Sequence, residues 1–297
     1  MGLPLILDGR RVASEVEAEL AVRLAKLRAR HVVPRLVFIR VGDDPASIVY
    51  VEMKNKKAAL LGIQSDTVVL PQDTSEEALV GLIGELNADS TVHGILVQAP
   101  LPPPIRSTRI FASVAPHKDV DGFHPINMGK LLLGDPTGFR PCTPAGIYEL
   151  LVRNGISTAG RRVAIIGRGA IVGKPMAAIL MQKGIDATVT LLHSGSRSID
   201  EHCRQSEIII AALGRAHFVT KDFVSPGAVV IDVGVNRQPD SSSPRGYRLV
   251  GDVDFENVAP LCSAITPNPG GVGPMTIAML MANVVCAAEK ATDKSTV

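Results

Sequence analysis

The chain has no tryptophan and few aromatic rings of any kind, with 7 Phe and 3 Tyr among 297 residues. A groove for single-stranded nucleic acid usually sets stacking rings beside a basic track. Here 31 basic residues face 29 acidic ones for a net charge of +2, so the basic track is missing too. Nucleic acid is not an expected partner. The four cysteines, Cys142, Cys203, Cys262 and Cys286, contain no C-x-x-C pair for zinc or dithiol chemistry, and no metal is expected. Scattered cysteines without a signal peptide read as reduced, mostly buried thiols in a cytoplasmic protein. The N-terminus lacks a basic n-region, and position 6 is Ile where a myristoylation signal prefers Ser or Thr. The most apolar stretch, residues 277–288, is interrupted by Asn283 and falls short of the ~20 residues a bilayer span needs. It reads as a buried helix, and no membrane partner is expected.

What is present suffices for a large core: 46% of the residues are apolar and 20% charged. At roughly 150 residues per domain, the length suggests two domains or one large one. Residues 12–30 have helical spacing, and residues 36–41 form a short apolar strand. Asp44-Pro45 reads as an N-cap followed by proline at the first helical position, opening a helix to residue 61 that stops at Gly62. A weak strand at 67–70, a helix at 75–87 capped by Ser75 and a buried strand at 94–97 follow. That βαβα order implies a mostly parallel sheet covered by helices.

Pro100-Leu101-Pro102-Pro103-Pro104 breaks the series. Residues 115–144, rich in Gly, Pro and His, read as a long functional loop. After a helix at 144–154, a second series places strands at 163–166, 188–192, 208–212, 229–233 and 263–266. A hairpin or surface loop at 239–245, an apolar helix at 274–288 and a frayed tail complete the chain. The expected fold is α/β with two lobes separated by a loop-rich hinge. Ligands in such sheets bind at the carboxyl ends of strands, so the active site is expected in a cleft between the lobes.

The strand at 163–166 runs into Gly167-Arg168-Gly169-Ala170-Ile171-Val172-Gly173 and then a helix at 174–183. This G-x-G-x-x-x-G turn is one residue longer than the usual dinucleotide fingerprint. Glycine lets the backbone turn sharply, and a helix N-terminus presents free N–H groups to a phosphate. A glycine-rich strand-to-helix turn without a ligand is the alternative. An NAD site places an acid after the second strand to hold the ribose hydroxyls. Here that strand is followed by His193-Ser194-Gly195-Ser196-Arg197, and Asp186 lies at its other end. With Arg168 and Arg197 nearby, a 2′-phosphate is the expected guest, since guanidinium matches phosphate oxygens. Either arginine also reads as an ordinary surface charge.

In Tyr50-Val51-Glu52-Met53-Lys54, the tyrosine and lysine stand at i and i+4 and share a helix face. Lys56 and Lys57 follow, so a solvated lysine face is the alternative. A lysine in a cleft, its pKa lowered from ~10.4 by desolvation, moves protons near neutrality. Tyr50 would then offer a ring for a flat substrate. Gln98 stands at a strand's carboxyl end, and Asp121 lies in Lys118-Asp119-Val120-Asp121-Gly122, where an aspartate before glycine often serves only the turn. The run from Thr266 to Thr276, dense in proline and glycine, suggests a rigid loop lining a ligand site.

Together these residues closely resemble the bifunctional methylenetetrahydrofolate dehydrogenase/methenyltetrahydrofolate cyclohydrolase family. The matching motifs are Tyr50-Val51-x-x-Lys54, Val97-Gln98-x-Pro100-Leu101-Pro102, Lys118-Asp119-Val120-Asp121-Gly122-Phe123-His124 and Pro141-Cys142-Thr143-Pro144. Gly167-Arg168-x-x-x-Val172-Gly173-x-Pro175-Met176 and the run 269–276 complete them, in family order over nearly the whole chain. The resemblance implies a folate-binding catalytic domain over 1–121, with the helix 274–297 packing back on it, and a Rossmann-like NADP-binding domain over 141–273. It implies NADP-dependent oxidation of 5,10-methylenetetrahydrofolate to the methenyl form and its hydrolysis to 10-formyltetrahydrofolate, in one-carbon metabolism that serves purine biosynthesis.

By the same resemblance Lys54 is the catalytic lysine, Tyr50 packs on the folate, Gln98 tunes the lysine and Asp121 anchors the pterin. Val97, Gln98, Ala99 and Pro269-Gly270-Gly271-Val272-Gly273 line the folate pocket. Gly167, Arg168, Gly169, Ser194, Arg197 and Val235 contact NADP. Cys142 is expected to pack rather than act as a nucleophile, and a cytoplasmic homodimer is the family expectation. The chain departs from the family at Gly169, usually serine, and at Gly195-Ser196, usually Arg or Lys then Thr. Both lie at the expected 2′-phosphate end, which keeps NAD as the alternative cofactor. Ala99 replaces leucine and Asn268 valine. Two other readings keep the fold, one with a single activity retained and one a non-catalytic NADP sensor.

Overall fold

The computed structural model describes residues 3–243 and 246–294. The expected frayed tail at 295–297, the Met1-Gly2 start and the last two residues of the polar run 239–245 lie outside them. β1 (Leu5–Ile6) and α1 (Gly9–Ala29) lead to β2 (Arg35–Val41), α2 (Pro45–Leu61), β3 (Gln64–Leu70), α3 (Glu76–Ala88) and β4 (Gly94–Val97). Next come α4 (Ser107–Ser113), α5 (Pro125–Leu133), α6 (Cys142–Arg153), β5 (Arg162–Ile166), α7 (Gly173–Leu180), β6 (Thr188–Leu192), α8 (Ile199–Arg204) and β7 (Ile208–Ala211). β8 (Val229–Asp232), β9 (Asn236–Pro239), β10 (Tyr247–Val250), α9 (Phe255–Val258), β11 (Ala264–Ile265) and α10 (Val272–Lys294) follow. They form two compact units, and both are discontinuous in sequence: Glu15–Cys142 with Ile277–Val297, and Met1–Ser14 with Thr143–Thr276.

In the first unit, local chemistry starts and stops α2 as its sequence dictates. The Asp44 carboxylate accepts from Ser47 N at 2.7 Å, Pro45 occupies the first turn, and Gly62 closes the helix at φ 73°. Ser75 caps α3 in the same way, accepting from Ala78 N at 3.1 Å. The sheet has the order β3-β2-β4 and is wholly parallel, with Phe38 opposite both Thr67 and Leu96. Val37, Ile39, Leu79, Ile83, Ile95 and Val97 are among the residues that pack one core of this unit.

The stretch 115–144 differs from the expected loop. It contains α5, nine residues long, with Pro125 in its first turn and the His124 ring accepting from Ile126 N at 3.0 Å. Proline and histidine here start a helix rather than interrupt one. α10 is also longer than its apolar stretch, at 23 residues. By length and composition it could cross a membrane, yet half of its most apolar window is buried in the fold. Asn283 explains the polar break: its amide donates to Val120 O at 2.8 Å and Arg140 O at 3.1 Å.

The second unit holds a six-stranded sheet in the order β1-β11-β8-β7-β5-β6, all neighbours parallel. Counted from β5, the strands β5 to β8 and β11 run 2-1-3-4-5, a doubly wound, Rossmann-like arrangement whose direction reverses between β5 and β7. β1 extends the far edge, pairing Leu5 with Ala264 and Ile6 with Ile265, which nothing in its two apolar residues announces. β9 and β10 form the expected hairpin, with the Arg237 guanidinium over the Tyr247 ring at 5.0 Å.

Candidate active site

In the first unit, α2 buries Ser47, Val51 and Ala58, and Lys54 is three residues after Val51 and four before Ala58. It therefore shares the inward face. The three nearby lysines divide accordingly. Lys56 is exposed, Lys57 pairs with Glu17 at 2.7 Å, and Lys54 is half-buried with Nζ donating to Gln98 Oε1 at 2.9 Å. The solvated-face alternative fits Lys56 alone. Gln98 follows β4 and is fixed by its own amide, which donates to Ala99 O at 2.6 Å. Its acceptor oxygen is thus committed to the lysine. Val97 is buried at the end of β4, and Tyr50, 37% exposed, stands one turn before Lys54.

The motif around Asp121 contains two aspartates with different duties. Asp119 is the turn former: its carboxylate accepts from Gly122 N at 3.1 Å, Phe123 N at 3.2 Å, His124 N at 2.8 Å and Asn127 Nδ2 at 2.8 Å. Asp121 takes no part in that turn. It interacts electrostatically with Lys54 instead. Burial pushes the Lys54 ammonium down and the Asp121 carboxyl up, each partly offset by the charge of the other. Cys142 is buried, donates to Val120 O at 3.3 Å, and has its thiol pushed well up by burial, which suits packing and not nucleophilic attack. Ser47 is not singled out by its sequence context, yet its hydroxyl is buried on the Lys54 face with no hydrogen-bond partner among the described residues.

In the second unit, the turn after β5 is shaped for close approach. Gly167 has φ +120°, and a Cβ there would overlap Ala212 O. A Cβ on Gly173, the first residue of α7, would overlap Gly167 O. β5 and β7 flank the reversal point, so this turn opens where a doubly wound sheet holds its ligand. Gly169 and Arg168 are exposed beside it. After β6, Gly195 N donates to the His193 ring at 3.1 Å and His193 N to Ser196 Oγ at 3.0 Å, which closes a tight turn. Ser194 and Arg197 are exposed on it, and neither Arg168 nor Arg197 has a hydrogen-bond or ion-pair partner among the described residues. Val235 is exposed after β8. Residues 269–273 belong to this unit, although Val272 and Gly273 already open α10 rather than the expected loop, and Gly9 N donates to Gly270 O at 3.0 Å.

Two buried aspartates of this unit are missed by sequence reasoning, because an acid at the end of an apolar strand reads as a solvent-facing strand end. Asp232 accepts from Gly234 N and Asp252 N at 2.9 Å and from Val253 N at 3.2 Å. Asp252 accepts from Leu213 N at 2.8 Å, Gly214 N at 2.9 Å, Arg215 N at 2.9 Å and Asn236 Nδ2 at 2.9 Å. Burial pushes the Asp232 carboxyl up to about 6, against 3.8 for an ordinary aspartate. The native state therefore binds this proton more tightly than the unfolded chain. The resulting stabilisation is present in full below the ordinary value and is lost as pH rises through about 6. We expect the stability of the wild type relative to Asp232→Asn to fall by about 2 kcal/mol between about pH 4 and about pH 7.5 in urea titrations. A flat difference would contradict the burial of this carboxyl.

Residues 7–121 match the catalytic-domain model of the tetrahydrofolate dehydrogenase/cyclohydrolase family, and residues 141–292 match its NAD(P)-binding-domain model. Bifunctional protein FolD 1 of Myxococcus xanthus is 51% identical over 96% of this chain and 97% of its own length. The crystal structure of the bifunctional FolD methylenetetrahydrofolate dehydrogenase/cyclohydrolase of Campylobacter jejuni superposes with a TM-score of 0.91, at 43% identity over 96% of this chain and 98% of that one. The Trypanosoma brucei FolD structure, complexed with NADP and an inhibitor, gives 0.93 at 37% identity, over 98% and 99% of the two chains. With both of its domains matched and half of its residues shared with a full-length relative, the chain belongs to the tetrahydrofolate dehydrogenase/cyclohydrolase family.

Proposed function

We propose that NADP rather than NAD accepts the hydride in the dehydrogenase half of this chain's bifunctional dehydrogenase and cyclohydrolase activity, with Lys54 moving the protons of the hydrolytic half. The observation that carries the proton-transfer reading is the Lys54–Gln98 pair, a half-buried lysine held at 2.9 Å by an amide oxygen that is itself fixed. A lysine whose pKa is lowered by burial is neutral in a larger fraction of molecules near pH 7 than a free one. Neutral Lys54 can accept a proton from water attacking the methenyl carbon of 5,10-methenyltetrahydrofolate and deliver it to the departing ring nitrogen; the remaining hydroxyl proton leaves to solvent as the carbonyl forms, giving 10-formyltetrahydrofolate. Gln98 keeps the amine aimed, and Asp121 offsets the desolvation so that the lysine also holds the proton in transit. Asp121 anchors the pterin, Tyr50 covers it, and the orphaned Ser47 hydroxyl is left for the ligand or its water. Val97 and Ala99 carry further folate contacts in the same unit, as the resemblance assigns them.

The turn Gly167–Gly173 suits a dinucleotide, since its glycines leave the space that a Cβ would fill. NADP, when bound, supplies the acceptor for the hydride lost from the methylene bridge. Arg168 and Arg197, exposed and unpaired among the described residues, would hold the 2′-phosphate, and Ser194 and Val235 would contact the nucleotide. No acid stands at residues 193–198 to prefer a free ribose. A cytoplasmic homodimer completes the reading, and the four unpaired cysteines suit a reducing compartment.

Turnover of 5,10-methylenetetrahydrofolate with each coenzyme, followed by reduced-nicotinamide absorbance, tests the choice. Replacing Arg168 and Arg197 together by serine should raise the KM for NADP about 10- to 100-fold, the worth of one or two charge-assisted hydrogen bonds. It should leave the KM for NAD unchanged. A wild-type kcat/KM for NAD equal to that for NADP would overturn the assignment.

A further inference from the structure

The loop after β7 ends in an anion that is part of the protein. Successive N–H groups of Leu213, Gly214 and Arg215 converge on the Asp252 carboxylate, which is 0% exposed and takes a fourth hydrogen bond from Asn236. Converging backbone N–H groups of this kind form a nest that ordinarily attracts phosphate or carboxylate. Here it is already filled. The filling is built in reciprocally: a Cβ on Gly234 would overlap Asp252 Oδ1, and a Cβ on Gly251 would overlap Asp232 Oδ2. Each aspartate occupies the space that the other's neighbouring glycine vacates. Asp232 in turn holds Asp252 N at 2.9 Å, and its own N–H donates to buried Thr266 Oγ1 at 2.7 Å.

The held loop continues directly from Ala212, whose carbonyl presses on Gly167 where a Cβ would stand and whose N–H donates to Ile166 O at 2.8 Å. We propose that Asp252 is a positioning residue for the dinucleotide: it plugs the nest after β7, sets Ala212 against Gly167, and leaves incoming phosphate only the turn after β5. This rests on the reading of Gly167–Gly173 as the dinucleotide turn.

Amide hydrogen exchange on the wild type, with and without NADP, separates the two claims. NADP should slow exchange in residues 168–173, and absence of that effect would refute the turn reading alone. Leu213, Gly214 and Arg215 should be protected before NADP is added and change by less than twofold after it. A tenfold or greater slowing at those three amides on NADP binding would overturn the plug, whether or not any variant folds. In Asp252→Asn one carboxylate oxygen becomes an N–H donor facing backbone donors. We expect exchange at residues 213–215 to quicken about tenfold and the KM for NADP to rise about tenfold, with kcat within about threefold of the wild type. A folded Asp252→Asn protein with an unchanged NADP KM would overturn the positioning role, since loosened packing alone would lower kcat and stability without singling out the coenzyme.

Discussion

Lys54→Met should lower cyclohydrolase turnover by about 10³-fold, within the range that a positioned general acid or base supplies. The folded protein should still bind NADP, because the dinucleotide turn lies in the other compact unit. Dehydrogenase turnover, read from reduced-nicotinamide absorbance, should be lost as well. Lys54→Arg makes the test sharper. It keeps a cation near Gln98 but cannot release a proton at any working pH, so the hydrolytic rate should fall nearly as far as with methionine. An arginine variant that retained a tenth of the wild-type rate would mean that charge, not proton transfer, is what residue 54 provides. In the wild type the hydrolytic rate should rise as Lys54 loses its proton, with a midpoint below the ~10.4 of a free lysine because burial disfavours the ammonium.

The second large effect lies at Gly167. Alanine there must hold a φ of +120° that side chains disfavour, and its methyl would overlap the Ala212 carbonyl. Backbone strain of this kind costs about 1–3 kcal/mol, and displacing the loop after β7 adds to it. Gly167→Ala should lower kcat/KM for NADP by at least about 10²-fold, equivalent to roughly 2.7 kcal/mol. Hydrolysis of methenyltetrahydrofolate, measured without nucleotide, should fall far less. Equal losses in both activities would mean that the substitution unfolds the chain rather than closing the nucleotide turn.

Much of this site is legible in the amino-acid sequence itself, and for a local reason. Asp44, Pro45 and Gly62 fix α2 by capping chemistry that acts within four residues, and the i and i+4 spacing then sets Tyr50 and Lys54 on one face. The glycine turn after β5 announces itself in the same way. What stays hidden depends on partners distant in sequence. Nothing near residue 119 shows that its carboxylate, not that of residue 121, ties the turn, because the deciding donors include Asn127 on α5. That helix is itself concealed by a proline and a histidine that more often mark loops. Asp232 and Asp252 are invisible for the same reason: their meaning lies in N–H groups 20 and 37 to 39 residues away. Sheet order is the extreme case, with β1 finding its partner only at the far end of the chain.

That pairing bears on how the molecule is made. Leu5 and Ile6 are made long before the strand they join, which is complete only at Ile265. The unit between residues 15 and 142 likewise waits for α10, which ends at Lys294. Each unit completes its packing only once a segment far downstream of its first strands has been made. Long-range parallel pairing is slow and exposes such strands to aggregation. Cutting the molecule between its two matched domains would leave each fragment without an element it needs.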